Sequence, residues 1–147
     1  DIRAIAECGV ETSNIKAICT LALARRVWPE AEAHNISALI YMISKGSSKA
    51  RDMLKGAHRA DADIILTANI LMHIVHKLNI QNIEELYAAS EDARIPRSIS
   101  FGKHKGTAIH DLPKDYVQWL LRQDDLDLYL RKALENANLI TLQAIDL

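Results

Sequence analysis

The sequence predicts a largely helical chain with one main domain followed by a small module. Its 147 residues are 49% hydrophobic and 25% charged, a balance typical of a packed globular domain with at most a small appendage. Up to residue 89, apolar side chains recur mainly at helical spacing. After a polar segment at residues 90–98, which contains Pro96, the pattern becomes that of a hairpin followed by helices. We therefore expect two units joined by a linker.

Composition gives no general reason to expect a charged or membrane-bound partner. The formal net charge is −1, and neither a run of about 18 apolar residues nor a signal peptide is visible. Residues 94–123 are the exception, because they carry six basic and two acidic side chains. Cys8 and Cys19 are too few for a disulfide framework or a zinc site, and we expect buried thiols in a reducing cytoplasm. The chain begins at Asp1 without a methionine, which indicates a fragment.

The first third of the chain is expected to form short elements. The apolar run from Ile15 to Thr20 favours a buried strand, and Asn35 is the expected N-cap of a later helix. The predicted elements are, in order, a helix at 2–8, the strand at Ile15–Thr20, helices at Leu21–Val27 and Ile36–Ser44, and one helical turn at 50–55.

The helix predicted over residues 61–78 is the most hydrophobic element. Its polar side chains form only a narrow strip, so we expect it to be packed on most sides. His73 and His76 belong to this strip and are one turn apart. We expect them to be a solvated edge rather than a metal site, because no nearby cysteine or carboxylate would complete the ligand set. A short helix at Ile83–Ala89 follows.

The carboxy-terminal part is expected to be a small α+β module with a hairpin and two helices. Residues Ile99–Ile109 predict a strand–turn–strand with Gly102 and Gly106 at turn positions. Asp111 is the expected cap of the next helix, and Leu126–Ala137 predicts the last one.

One polar stretch carries residue types suited to chemistry. His58 precedes Asp63 by five positions, and Asp63 opens the apolar helix, near the positive end of the helix dipole. Such a pair could bind a metal ion or activate a water molecule. The alternative is that Asp61 or Asp63 caps the helix and His58 is a surface residue, and spacing alone favours this alternative.

Four segments, in this order, carry a family resemblance that periodicity does not provide. They are Ile18–Pro29 (ICTLALARRVWP), Asn35–Leu39 (NISAL), His58–Asp63 (HRADAD), and Phe101–Gly106 (FGKHKG) with the later pairs Leu112-Pro113, Asp115-Tyr116 and Trp119-Leu120. Together they resemble the exodeoxyribonuclease X group of the DnaQ-like 3′→5′ exonucleases. The histidine–aspartate spacing alone is a weak signal, whereas the ordered combination, which covers about residues 1–135, is fairly specific.

The resemblance implies a ribonuclease H-like α/β exonuclease fold that is incomplete at its amino terminus, so that this portion is predominantly α. Residues 1–90 would be the carboxy-terminal half of the exonuclease domain, 91–98 a linker, 99–137 the module and 138–147 a tail. The long apolar helix would then lack much of the sheet that it should cover. We expect the chain alone to be inactive and poorly soluble.

The resemblance also implies site residues and a cofactor. His58 corresponds to the family's catalytic histidine and Asp63 to its third-motif aspartate, a metal ligand. Asp1 lies at about the distance expected for the second-motif aspartate, while the Asp-x-Glu pair of the first motif is absent from the chain. The implied cofactor is a pair of Mg²⁺ or Mn²⁺ ions, which require hard oxygen ligands.

The module offers candidate contacts to DNA. Lys103, His104 and Lys105 lie on the predicted turn within the basic segment, where they could bind phosphates. The alternative is that the hairpin tip is simply polar. Aromatic residues in the same module are interpreted as core rather than as stacking platforms; they are Phe101, Tyr116 and Trp119.

Two functions remain. The leading one is the carboxy-terminal portion of a metal-dependent 3′→5′ exodeoxyribonuclease that acts on single-stranded or duplex DNA 3′ ends in the cytoplasm, with no membrane partner. The alternative is a non-catalytic nucleic-acid-binding or protein-interaction piece on a degenerate exonuclease scaffold.

Overall fold

The computed structural model describes residues 2–55 and 59–143, without the side chains of residues 2, 3, 49 and 138–143. The chain divides into two compact units, Asp1–Ala93 and Arg94–Leu147. The helices of the described residues are α1 (Ile2–Glu7), α2 (Thr20–Val27), α3 (Ile36–Ile43), α4 (Ser48–Leu54), α5 (Ala60–Lys77), α6 (Ile83–Arg94), a 3₁₀ turn (Ile109–Asp111), α7 (Lys114–Leu121) and α8 (Leu128–Gln143). These residues form no β-sheet, and the ribonuclease H-like fold stays a prediction.

The core of the first unit is built around α5. This helix packs against both α2 and α3, and α6 adds Leu86. The buried side chains are Leu23, Ala24, Val27, Trp28, Leu39, Ile40, Ala50, Leu66, Ile70, Ile74 and Leu86. The predicted cap of α3 is confirmed, because Asn35 Oδ1 accepts a hydrogen bond from the Ala38 N–H at 2.9 Å.

Helix α5 buries one face and exposes another, so the expectation that it is packed on most sides is wrong for the described residues. Leu66, Ile70 and Ile74 are buried one turn apart. On the opposite side Ile65 is 67% exposed and Met72 is 65% exposed. Ile64 and Ala68 extend this exposed apolar face along the helix. Within the described part of the chain, this face is left open to solvent.

The segment predicted as a buried strand, Ile15–Thr20, contains no strand. Its residues run without regular structure up to Cys19, the N-cap of α2. The backbone N–H of Cys19 donates to the Ser90 hydroxyl oxygen at 2.8 Å, so a side chain of α6 satisfies it where a neighbouring strand would have done so.

The predicted linker at residues 91–98 is shorter than expected, because α6 continues to Arg94. Ser90, which belongs to the polar stretch, is a residue of this helix and is fully buried. The expectation of two buried thiols is also wrong, since Cys8 is exposed and Cys19 is half-buried.

The second unit has its own core. Ile99 and Ile109 are buried together with residues of α7 and α8. The predicted hairpin is reduced to a single antiparallel bridge between Ser98 and Ala108, and the two predicted helices are present. The last helix is longer than predicted, because α8 reaches Gln143 and includes residues 138–143 of the predicted tail. The Arg131 guanidinium donates to the carbonyls of Leu121 and Gln123, both at 2.8 Å, and so closes the end of α7.

None of the helices in the described part of the chain combines the length and the apolar character needed to cross a lipid bilayer.

The two faces of α5 predict opposite outcomes for the same substitution. Ile70→Ala should lower the free energy of unfolding of the first unit by about 2–5 kcal/mol, because Ile70 is 1% exposed and its loss leaves a cavity. Ile65→Ala, the matched control on the exposed face, should change it by less than about 0.5 kcal/mol. Urea unfolding followed by circular dichroism measures both, and equal losses would show that both faces are packed.

Candidate functional site

The amino-terminal end of α5 places two aspartates in its first turn, Asp61 and Asp63. The N-cap residue is Arg59, whose backbone is extended and whose side chain makes no capping hydrogen bond. Neither aspartate therefore occupies the N-cap position that the alternative interpretation assigned to one of them. Both carboxylates lie close to the positive end of the helix dipole, which favours negative charge.

The two aspartates differ in their surroundings. Asp61 is exposed and forms an ion pair with Arg59 at 3.0 Å, a contact of little energetic weight because both side chains are open to water. Asp63 is half-buried. By helical spacing it lies in line with Ile70 and Ile74, seven and eleven positions on, at the end of the buried stripe. Of these two aspartates, Asp63 is the one that combines a carboxylate with partial exclusion of water.

Two of the predicted site residues, His58 and Asp1, lie outside the described residues. Their distances to Asp63 are therefore not part of the site geometry. Within residues 2–55 and 59–143, no group of three or more histidine, cysteine, aspartate or glutamate side chains is arranged to hold a metal ion. The metal site thus stays a prediction, with Asp63 as its described oxygen donor.

His73 and His76 are both exposed on α5. They border a shallow cleft with Trp28 and Glu30, and the Lys77 ammonium lies 5.4 Å from the centre of the Trp28 ring. No metal-binding cluster is described there either. We interpret the two histidines as part of the solvated surface.

In the second unit, backbone hydrogen bonds join the two ends of the loop at residues 100–106. The Ile99 N–H donates to the Thr107 carbonyl at 3.0 Å, and the Gly106 N–H donates to the Ile99 carbonyl at 2.7 Å. Gly102 and Gly106 have φ angles of +64° and +87°, in the left-handed region that favours glycine, so their predicted turn positions are confirmed. The buried Ile99 anchors one end of the loop in the core.

We expected the aromatic residues near this loop to belong to the core, and for two of them this expectation is wrong. Phe101 is 44% exposed and Trp119 is 52% exposed. Tyr116 is half-buried and stacks on Trp119 with ring centres 5.6 Å apart and an angle of 23° between the ring planes. The helical pattern contains a signal for this arrangement, because the stripe of α7 formed by the buried Val117 and Leu120 leaves Trp119 to one side.

Phe101 and Trp119 border a common cleft of about 550 Å³, which we name the aromatic cleft. Its lining residues are Phe101, Gly102, Lys103, Asp115, Tyr116 and Trp119. A Cβ atom added at Gly102 would lie 3.4 Å from the Tyr116 hydroxyl oxygen. Glycine at this position therefore leaves space on that side of the cleft. The volume is within the range of about 300–1,000 Å³ that is typical of small-ligand pockets.

The three predicted DNA contacts are placed differently. Lys103 and Lys105 are exposed, and the Lys103 ammonium lies 5.6 Å from the centre of the Tyr116 ring. The His104 ring packs against Tyr116 with ring centres 4.4 Å apart. Its Nε2 is buried and has no hydrogen-bond partner among the described residues. This geometry favours the two lysines as contacts for a ligand in solution.

Comparisons with known proteins bear on both units. A family model described as "Putative quorum-sensing-regulated virulence factor" matches residues 93–144. The chain is 30% identical to exodeoxyribonuclease 10 of Escherichia coli K12 over 127 residues, which cover 81% of this chain and 56% of that protein. Exodeoxyribonuclease 10 of Escherichia coli O6:H1 matches equally. The chain thus spans just over half the length of these curated relatives. No solved structure matches.

The chain is therefore related to an exodeoxyribonuclease over most of its length, as its motifs had predicted. The finer placement among the DnaQ-like enzymes stays a prediction. The family model begins at residue 93, one residue before the second compact unit, so that unit is also a separate stretch of sequence similarity.

The buried, unpaired nitrogen of His104 predicts that this residue serves packing. His104→Phe keeps a ring against Tyr116 and removes a polar atom whose burial costs about 1–3 kcal/mol, so the free energy of unfolding should stay equal or rise. His110→Phe, at an exposed histidine of the same unit, is the control and should have little effect. Chemical denaturation measures both. A clear loss of stability in His104→Phe alone would show that the imidazole nitrogen is needed.

Proposed function

We propose that the chain is the carboxy-terminal part of a metal-dependent 3′→5′ exodeoxyribonuclease. The observation that carries this proposal is the similarity to exodeoxyribonuclease 10 over 81% of the chain. Since 81% of 147 residues is about 119, the matched stretch includes about residues 30–118 wherever it starts. It therefore contains His58, Asp63 and the basic loop.

Asp63 is the described residue that suits a metal ligand in this proposal. It supplies a hard carboxylate oxygen, the donor type that Mg²⁺ and Mn²⁺ prefer. Its half-buried position in the first turn of a packed helix limits its movement. Asp1 is the second proposed ligand. When bound, the ions supply positive charge that stabilises the attacking and leaving oxygens of the phosphodiester.

His58 is proposed as the general base. An unperturbed histidine has a pKa of about 6.5, so near neutral pH its ring nitrogen can accept a proton from the attacking water. His58 precedes Asp63 by five positions in the sequence, and α5 begins between them at Ala60.

Two further observations support a DNA-processing role. The exposed Lys103 and Lys105 belong to the basic segment, and such side chains bind phosphates without regard to sequence. The exposed apolar face of α5 has the character of a surface that packs on more polypeptide, as it would in a larger exonuclease domain.

A non-catalytic binding role is the second candidate. The observation that favours it is the separate similarity of residues 93–144 to a family whose description names no nuclease. In that case the second unit would bind nucleic acid while the first unit served as a scaffold. Variants of Asp63 and His58 separate these functions.

The role of Asp63 predicts a specific loss of metal affinity. In the full-length protein, Asp63→Asn removes the anionic oxygen and should weaken Mg²⁺ or Mn²⁺ binding in calorimetric titration, together with exonuclease activity. Asp61→Asn is the matched control, because Asp61 lies in the same turn but is exposed and paired with Arg59. Unchanged metal affinity in Asp63→Asn would remove this residue from the metal site.

The role of His58 predicts a loss of rate without a loss of binding. His58→Ala in the full-length protein should slow release of 3′-terminal nucleotides by about 100-fold or more, since a general base contributes about that factor. Affinity for metal and DNA should persist. His73→Ala, at an exposed histidine of α5, should retain activity. Near-wild-type turnover in His58→Ala would exclude the proposed base, whereas a wild-type protein that binds DNA but releases no nucleotides would favour the non-catalytic candidate.

A further inference from the structure

We propose that the aromatic cleft binds an unpaired base of single-stranded DNA, which stacks on Trp119 while Lys103 and Lys105 contact the neighbouring phosphates. This inference rests on the proposed function only in taking DNA as the ligand. It goes further by assigning the site to a cleft of the second unit and to aromatic side chains.

Exposure of the aromatic rings is the first argument. The chain has one phenylalanine and two tryptophans. Trp28 is 8% exposed in the core of the first unit, whereas Trp119 is 52% exposed and Phe101 is 44% exposed at one cleft. Large apolar side chains gathered around a concavity are characteristic of binding sites. Bases stack on such rings regardless of their sequence, because every base has a π face.

Charge is the second argument, and it gives the ligand an orientation. Lys103 lines the cleft and Lys105 follows two residues later, and neither forms an ion pair among the described residues. Asp115 is the single carboxylate in the lining. It disfavours a phosphate beside it, but it can accept a hydrogen bond from an N–H group on the edge of an unpaired base. A lining that contains both a lysine and a carboxylate fits a base joined to phosphates better than it fits a free anion.

Rigidity is the third argument. Tyr116 is stacked on Trp119 and is contacted in turn by the His104 ring, so the stacking surface is held before a ligand arrives. The hydrogen bonds between Ile99, Gly106 and Thr107 hold the base of the loop that carries Phe101 and Lys103. A preformed site loses less conformational entropy on binding. Duplex DNA keeps its bases stacked and would have to flip one out, so a single strand is the favoured form.

The test measures binding of a fluorescein-labelled oligodeoxythymidylate to the 147-residue chain by anisotropy, beside an abasic strand with the same phosphates. The wild-type chain should bind the strand with bases more tightly. Trp119→Ala should weaken that binding about tenfold and bring it to the level of the abasic strand, whose own affinity should not change. Phe101→Ala should act in the same direction, and Trp119→Phe should restore much of the affinity.

Controls separate stacking from charge and from damage to the fold. Tyr41→Ala changes a ring of similar exposure, 42%, in the first unit and should leave binding unchanged. The double variant Lys103→Ala/Lys105→Ala should weaken the binding of both strands and reduce the salt dependence of binding. Thermal unfolding of each variant shows whether it is folded. If Trp119→Ala does not fold, Phe101→Ala still tests the cleft.

The outcomes distinguish this inference from the proposed function. Equal binding of both strands, or folded Trp119→Ala and Phe101→Ala chains that bind the oligodeoxythymidylate like wild type, would overturn the base-binding cleft. So would an absence of DNA binding, or a cleft that binds only peptides. None of these results would change the metal affinity and nucleotide release measured with the variants of Asp63 and His58, on which the exonuclease proposal depends.

Discussion

The packing of one side of α5 against α2 and α3 is the interaction on which the first unit depends. Leu66, Ile70 and Ile74 recur at helical spacing, so a single rigid stripe enters the core. Each fully buried side chain of this type contributes about 1.5–3 kcal/mol relative to an exposed one. The same stripe leads back to Asp63, so the contact that holds the unit together also positions its candidate metal ligand.

The second unit depends on a different device, a short loop fixed at its base. Buried Ile99 and Ile109 secure the two ends, while glycines allow the backbone to turn between them. The residues with potential contacts to DNA then lie on a loop that is supported by a packed core, a common arrangement for binding sites. The two units thus divide the proposed chemistry, with hydrolysis assigned to the first and base binding to the second.

The elements that were predictable from sequence are those specified by local interactions. The cap at Asn35, the turns at Gly102 and Gly106, and the long helix each follow from neighbouring residues. The strand expected at Ile15–Thr20 was wrong because an apolar run does not say which partner will satisfy its backbone, and Ser90 provides that partner from far along the chain. The polar stretch that contains Ser90 suggested a linker, although its hydroxyl accepts a hydrogen bond inside the fold. Asp63 was proposed as a site residue from a motif. The exposure of Trp119 has a signal in the helical pattern of α7, whereas its stacking on Tyr116 and the cleft beside it depend on tertiary packing.

The placement of the two tryptophans has an optical consequence. Trp28 lies in the first unit with its indole buried, and Trp119 lies in the second with its indole half open to water. Their emission spectra should therefore be offset, with Trp119 at longer wavelength and more accessible to a soluble quencher. Each unit contains one tryptophan, so unfolding of the two units can be followed separately without a label, in variants that each keep a single indole.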